Sequence, residues 1–192
     1  RSVGLNPIAP GTTIDFVFVE VPRSGLALWL RGDAGVIENG NRVARWEDQS
    51  GNSRHAVQGS SSSQPEWLQS GLGGLPVLRF DGLDDFLTFN LPVNGLTEMT
   101  LVLITANTQD RDGGKSNAEN APLFWNESGG WGTLYLSPFQ SNIKFRFGTG
   151  QSKNLPEYLR PQSIGGDFSL TMAVKEGASE SLFVNGELVL NE

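Results

Sequence analysis

Leu26-Ala-Leu-Trp29-Leu, Arg45-Trp46-Glu-Asp48-Gln-Ser50-Gly51-Asn52 and Arg79-Phe80-Asp81-Gly82-Leu-Asp84-Asp85-Phe86-Leu follow one another within residues 26–89. Two apolar segments of strand length flank a loop rich in aromatic, Asp, Gly and Asn residues. The third segment turns sharply at Asp81-Gly82, a pair that tolerates the positive φ of a tight turn.

The same grammar continues outward from this stretch. In Asn142-Ile-Lys-Phe-Arg-Phe147 the period is two: Ile143, Phe145 and Phe147 share one face, Lys144 and Arg146 the other. Phe168 to Val174 alternates in the same way. Ser181 to Leu190 reads as two short strands around Asn185-Gly186, a strong signal for a type I′ hairpin. Met99 to Thr105 is a near-continuous apolar run, expected to be a strand buried on both faces. Thr13 to Val21 reads as a further strand ended by Pro22, Ser60 to Ser63 as a loop inside the domain, and Asn107 to Asn120 as a long mobile loop. No segment carries a helical stripe of helix length. Many short strands separated by turns predict an all-β fold of antiparallel sheets packed as a sandwich.

Composition narrows the function classes. The chain has 192 residues with 38% hydrophobic and 18% charged, which is globular composition and enough for a core. Net charge is −7, so a phosphate backbone or an anionic membrane surface would be repelled. There is no cysteine, which excludes a disulfide framework and any thiolate metal site. No apolar run approaches the ~20 residues of a membrane-spanning helix. The chain begins at Arg1, so it is expected to be a processed protein or a piece of a longer one.

Several clusters have two readings each. Asp48 and Asn52 offer oxygens to a calcium ion; alternatively Asp48 and Ser50 cap a turn, Gly51 supplies a left-handed position and Trp46 plugs the core. Asp81, Asp84 and Asp85 could hold a cation at a rim; alternatively Asp81-Gly82 makes a turn between strands, with Phe80 and Phe86 facing the core. Leu123 to Tyr135 interleaves Trp125, Trp131 and Tyr135 with Asn126 and Glu127 among glycines. Sugar recognition needs that mixture of flat apolar faces and planar polar groups; alternatively the same aromatics belong to the core. Asn126-Glu-Ser128 also matches a glycosylation acceptor, and Arg31-Gly32-Asp33 an integrin-binding tripeptide, both patterns that arise often by chance.

The order and wording of the 26–89 motifs resemble the laminin G-like, or concanavalin A-like lectin and glucanase, jelly-roll domains of bacterial secreted and surface proteins. The resemblance extends over residues 25–192. It implies a two-sheet antiparallel jelly roll in residues 23–192, with residues 1–22 an N-terminal strand, a linker or the end of a preceding domain. In that family more strands follow a segment like Leu170 to Val189, so the last strands are expected to be missing here or supplied by a second polypeptide segment. The resemblance further implies an extracellular or cell-surface bacterial location and a non-catalytic binding role, most often toward a glycan, with calcium as the one cofactor to consider.

Catalytic readings find little support in the residues. Laminarinase-type relatives alternate two glutamates and an aspartate along one strand. The nearest match, Asp15-Phe-Val-Phe-Val-Glu20, puts its two carboxylates on opposite strand faces, and Thr13 stands where the first glutamate belongs. His55 is the only histidine, so no triad or histidine metal cluster can form. A structural or protein-binding spacer is the runner-up function, and a jelly-roll hydrolase or lyase the third.

Overall fold

The computed structural model describes residues 21–93, 96–106, 124–125, 135–139, 142–146 and 168–191. The chain divides into two compact units, Arg1–Pro92 and Val93–Glu192. The expected strand at 13–21 and the expected loop at 107–120 lie outside the described residues, apart from residue 21. Both units are all-β with antiparallel pairing, and the only helical turn among the described residues is a single 3-10 turn at Ser61–Ser63.

The described residues of the first unit form one antiparallel sheet: β1 (Val36–Asn39), β2 (Arg42–Trp46), β3 (Ala56–Val57), β4 (Glu66–Leu72) and β5 (Leu75–Arg79), in the order β1-β2-β4-β5 with β3 also on β2. Between β4 and β5 the turn residues Gly73 and Gly74 both take positive φ, +55° and +86°, as a two-residue hairpin requires. β4 bulges between Leu68 and Leu72. A Cβ on Gly71 would come 2.2 Å from Val77 Cγ2, so a glycine lets the bulged strand lie against β5. Val43 and Ala56 are fully buried, and Gln64 is buried with its amide nitrogen on Gln58 O.

The second unit contains β6 (Glu98–Thr105), β7 (Phe124–Trp125), β8 (Tyr135–Phe139), β9 (Asn142–Arg146), β10 (Ser169–Glu176), β11 (Ser179–Val184) and β12 (Glu187–Asn191). They form two antiparallel sheets, ordered β12-β11-β10-β6 and β7-β8-β9. In the larger sheet Thr171 faces Val184 and Ala173 faces Leu182, and all four are buried. Burying a side chain such as Leu182 contributes about 1.5–3 kcal/mol. Asn185 and Gly186 have φ of +51° and +85°, the type I′ geometry expected of this pair.

Three sequence expectations need correction. β6 is not buried on both faces: exposed and half-buried residues alternate along it, with Val102 51% and Ile104 43% exposed. It ends its sheet, and an antiparallel sheet can keep one face in water, so an apolar run need not mean two-sided burial. Phe80 and Phe86 do not face the core; they are 44% and 51% exposed, because β5 ends at Arg79 and no second strand of a hairpin follows the Asp81-Gly82 turn. Residues 26–30 belong to no strand; hydrogen bonds from the 48–54 loop hold them instead.

Candidate functional site

Trp125 and Tyr135 come together. They are direct register partners on β7 and β8, and Tyr135 is in turn the register partner of Arg146 on β9. Residues directly opposite in antiparallel strands share a face, so Trp125, Tyr135 and Arg146 form one row across three strands. Ser137 and Lys144 make the next row on that face. Phe124, Leu136 and Phe145 make the row on the opposite face. Asn126, Glu127 and Trp131, the other predicted ligand contacts, lie outside the described residues. Sequence reasoning did not connect Arg146 and Lys144 to the aromatic segment. The signal was present in the alternation of residues 142–147, but the pairing of β8 with β9 was needed to use it.

The predicted calcium ligands separate into two places in the first unit. Asp48 is buried, and its two oxygens accept four hydrogen bonds. Oδ1 takes the N–H groups of Trp29 and Ser50, each at 2.9 Å, while Oδ2 takes Ser50 Oγ at 2.7 Å and the Arg54 N–H at 3.1 Å. Burial alone would raise the Asp48 pKa; these bonds outweigh it and hold the carboxyl at about 2, below its ordinary 3.8. Asn52 presents its amide nitrogen, not its oxygen, to the carbonyls of Leu26 and Ala27, at 2.9 and 3.2 Å. Donors from the chain therefore surround Asp48, and its geometry is that of a loop organiser. Trp46, expected in the core, is half-buried and donates its Nε1–H to Arg31 O at 2.6 Å.

Asp81, Asp84 and Asp85 do converge: each offers an oxygen, and these lie within 4.8 Å of one another. Asp81 Oδ1 accepts the N–H groups of Leu83, Asp84 and Asp85 at 2.8, 3.2 and 3.3 Å, which is the turn-capping geometry. Asp85 Oδ2 accepts the Asp81 N–H at 2.9 Å and lies 3.6 Å from Arg42 Nη1. Asp85 Oδ1 is buried without a hydrogen-bond partner. Burial, the largest influence, raises the Asp85 pKa, and the nearby Asp81 and Asp84 charges add to it. Exposed Asp81 is shifted the other way, chiefly by the Leu83 N–H.

Arg31-Gly32-Asp33 is closed on itself. The Arg31 guanidinium donates to both Asp33 oxygens, Nε to Oδ1 at 2.9 Å and Nη2 to Oδ2 at 2.6 Å. The Arg23 and Arg31 guanidinium carbons lie 4.7 and 4.9 Å from the Trp29 ring centroid, within cation–π range. His55 accepts the Asp48 N–H at Nδ1, 3.1 Å away. No helix among the described residues is long and apolar enough to cross a membrane. No protein family, curated protein or solved structure matches the chain.

Proposed function

We propose that the chain is a non-catalytic binding module of a bacterial secreted or cell-surface protein, built as a laminin G-like jelly-roll sandwich. Its ligand in this reading is a polysaccharide or cell-surface glycan. The observation that supports it is the register of β7 against β8, which sets Trp125 directly opposite Tyr135. In this reading these two aromatic residues, register partners on adjacent strands, stack on sugar rings. Arg146 and Lys144 on the same face add hydrogen-bond donors for ring hydroxyls. Ligand contact in this reading also falls to Trp131, Asn126 and Glu127, which lie outside the described residues.

The calcium reading attaches to Asp81, Asp84 and Asp85, where three carboxylates converge. Binding of the intact chain to a broad glycan array, run once with calcium and once with chelator, tests both parts. The expected result is a set of glycan hits that Trp125→Ala and Trp131→Ala each abolish. A blank array from protein shown by circular dichroism to be folded would reject the glycan reading in favour of a structural or protein-binding spacer. Hits unchanged by chelator would remove calcium from the mechanism.

A further inference from the structure

A depression of about 540 Å³ opens in the first unit, lined by Asn52, Ser53, Arg54, His55, Asn90 and Pro92. None of the described residues that line it is a carboxylate, although the chain as a whole carries a net charge of −7. Among the described arginines of this unit Arg54 and Arg23 lack a carboxylate neighbour, and Arg23 is engaged elsewhere, with Nη1 donating to Gln49 O at 3.0 Å and its guanidinium over the Trp29 ring. Arg31 lies beside Asp33, Arg42 beside Asp85, Arg45 beside Glu47 and Arg79 beside Glu66, at 2.6 to 3.7 Å. Among the described residues no carboxylate pairs with Arg54; its Nη1 donates to Ala27 O at 2.8 Å, and the rest of its fork is not engaged by them.

The loop that carries these groups is held firmly. Asp48 Oδ2 takes the Arg54 N–H, and the Asp48 N–H donates to His55 Nδ1. An imidazole that accepts at Nδ1 carries its proton on Nε2, so His55 is left with a donor nitrogen. Ser53, between Asn52 and Arg54, takes a φ of +56°, a conformation few non-glycine residues adopt. Asn90 is exposed and makes no side-chain hydrogen bond among the described residues. The Arg54 guanidinium, the His55 N–H and the Asn90 amide offer donors around one open hollow, while Asn52, whose Nδ2 is engaged by Leu26 O and Ala27 O, offers its amide oxygen as an acceptor. Arginine's planar fork matches a carboxylate with two parallel hydrogen bonds. The volume falls in the range of small-molecule sites, large enough for a single pyranose ring.

We propose that this depression binds a carboxylate-bearing ligand of the hexuronic acid class. Arg54 pairs with the carboxylate, while His55 Nε2–H and the amides of Asn52 and Asn90 meet ring hydroxyls. The site shares no residue with the Trp125–Tyr135 row, so it stands or falls independently of the glycan reading above.

Isothermal titration calorimetry on the full chain tests it, with sodium glucuronate as the probe, glucose as the neutral control and inorganic phosphate as the alternative oxyanion. Glucuronate is expected to bind, with glucose and phosphate each weaker by at least about tenfold. Asn90→Asp places a negative charge on the rim and is expected to weaken glucuronate binding by at least about tenfold with the thermal melt unchanged. Arg54→Gln is expected to abolish binding; because Arg54 also braces Ala27, the Asn90→Asp result decides the matter if that variant unfolds. Equal binding of glucose and glucuronate, tighter binding of phosphate, no binding of glucuronate, or an Asn90→Asp variant that binds as well as the parent would each overturn the proposal.

Discussion

The Asp48 carboxylate accepts the backbone N–H of Trp29 at 2.9 Å, across nineteen residues of sequence. The neighbouring residue returns the contact: the Gln49 N–H donates to Trp29 O at 2.8 Å. A side-chain oxygen and a backbone N–H thus do for residues 26–30 what a strand partner would have done, and the segment is anchored without joining the sheet. Hydrogen bonds to a charged acceptor contribute about 1.5–3 kcal/mol each when buried, so Asp48→Ala is expected to cost at least about 3 kcal/mol. Urea denaturation of the variant against the parent checks this, and a loss too small to measure would show that the loop is held by something else.

The same carboxylate sets a pH dependence. Its pKa is about 2 in the folded chain against an ordinary 3.8. A depressed carboxyl pKa stabilises the fold fully above pH 3.8 and loses that contribution as pH falls toward 2. The difference corresponds to about 2 kcal/mol. The parent is expected to lose this much between pH 5 and pH 2 beyond what Asp48→Asn loses over the same range. Parallel pH profiles for the two proteins would contradict the assignment.

Gly32 is predicted to be irreplaceable for steric reasons. A Cβ there would lie 2.2 Å from Pro76 O, which is backbone of β5 and cannot swing away. The Gly32 carbonyl also accepts the Trp67 Nε1–H at 2.9 Å, so the loop is pinned at that approach. Gly32→Ala is expected to destabilise by about 1–3 kcal/mol or more, with the tryptophan fluorescence shifted toward that of a solvated indole. An unshifted spectrum together with an unchanged melting temperature would show that the loop can move aside.

Where sequence reasoning succeeded and where it failed follows from the range of the interactions. Asn185-Gly186 was legible because the turn depends on the φ preferences of its own two residues. β9 and β10 were legible as strands for the same local reason, but the fully buried positions of β10 are Thr171 and Ala173 rather than the apolar Leu170, Met172 and Val174. Half of the Asp48 role was also local: a turn cap through Ser50 lies two residues away, but the bonds to Trp29 and Arg54 depend on where the chain returns. Phe80 and Phe86 were misplaced because Asp81-Gly82 looked like a hairpin, and nothing nearby reveals that only Thr88 pairs onward, in a lone bridge with Val57. In the aromatic segment, Trp125 and Tyr135 could be chosen by residue type, whereas Arg146 enters the row only through the β8–β9 register.

Asp85 should behave in the opposite sense to Asp48. Its folded pKa is raised above 3.8, chiefly by burial, so its charged form costs stability at neutral pH and the cost is relieved as pH falls through the folded pKa. Asn at this position keeps an oxygen for the Asp81 N–H and carries no charge to bury. Asp85→Asn is therefore expected to raise the melting temperature at pH 7 by a few degrees, about 2–4 °C per kcal/mol in a chain of this size. A lower melting temperature at pH 7 would mean that the ion pair with Arg42 outweighs the burial of the charge.

Asn185 performs two tasks that substitution can separate. It accepts a positive φ of +51°, and its Oδ1 accepts the Leu170 N–H at 2.9 Å, tying the β11–β12 turn to β10. Its own N–H donates to Leu170 O at 2.8 Å, a bond that any residue other than proline can keep. Asn185→Gly removes only the side-chain acceptor and is expected to cost about 1 kcal/mol. Asn185→Ala also forces a Cβ into the left-handed region, adding about 1–2 kcal/mol. Denaturation midpoints should therefore fall in the order parent, Gly variant, Ala variant. If the two variants are equally destabilised, backbone strain is absent and the hydrogen bond to Leu170 is the whole contribution of Asn185.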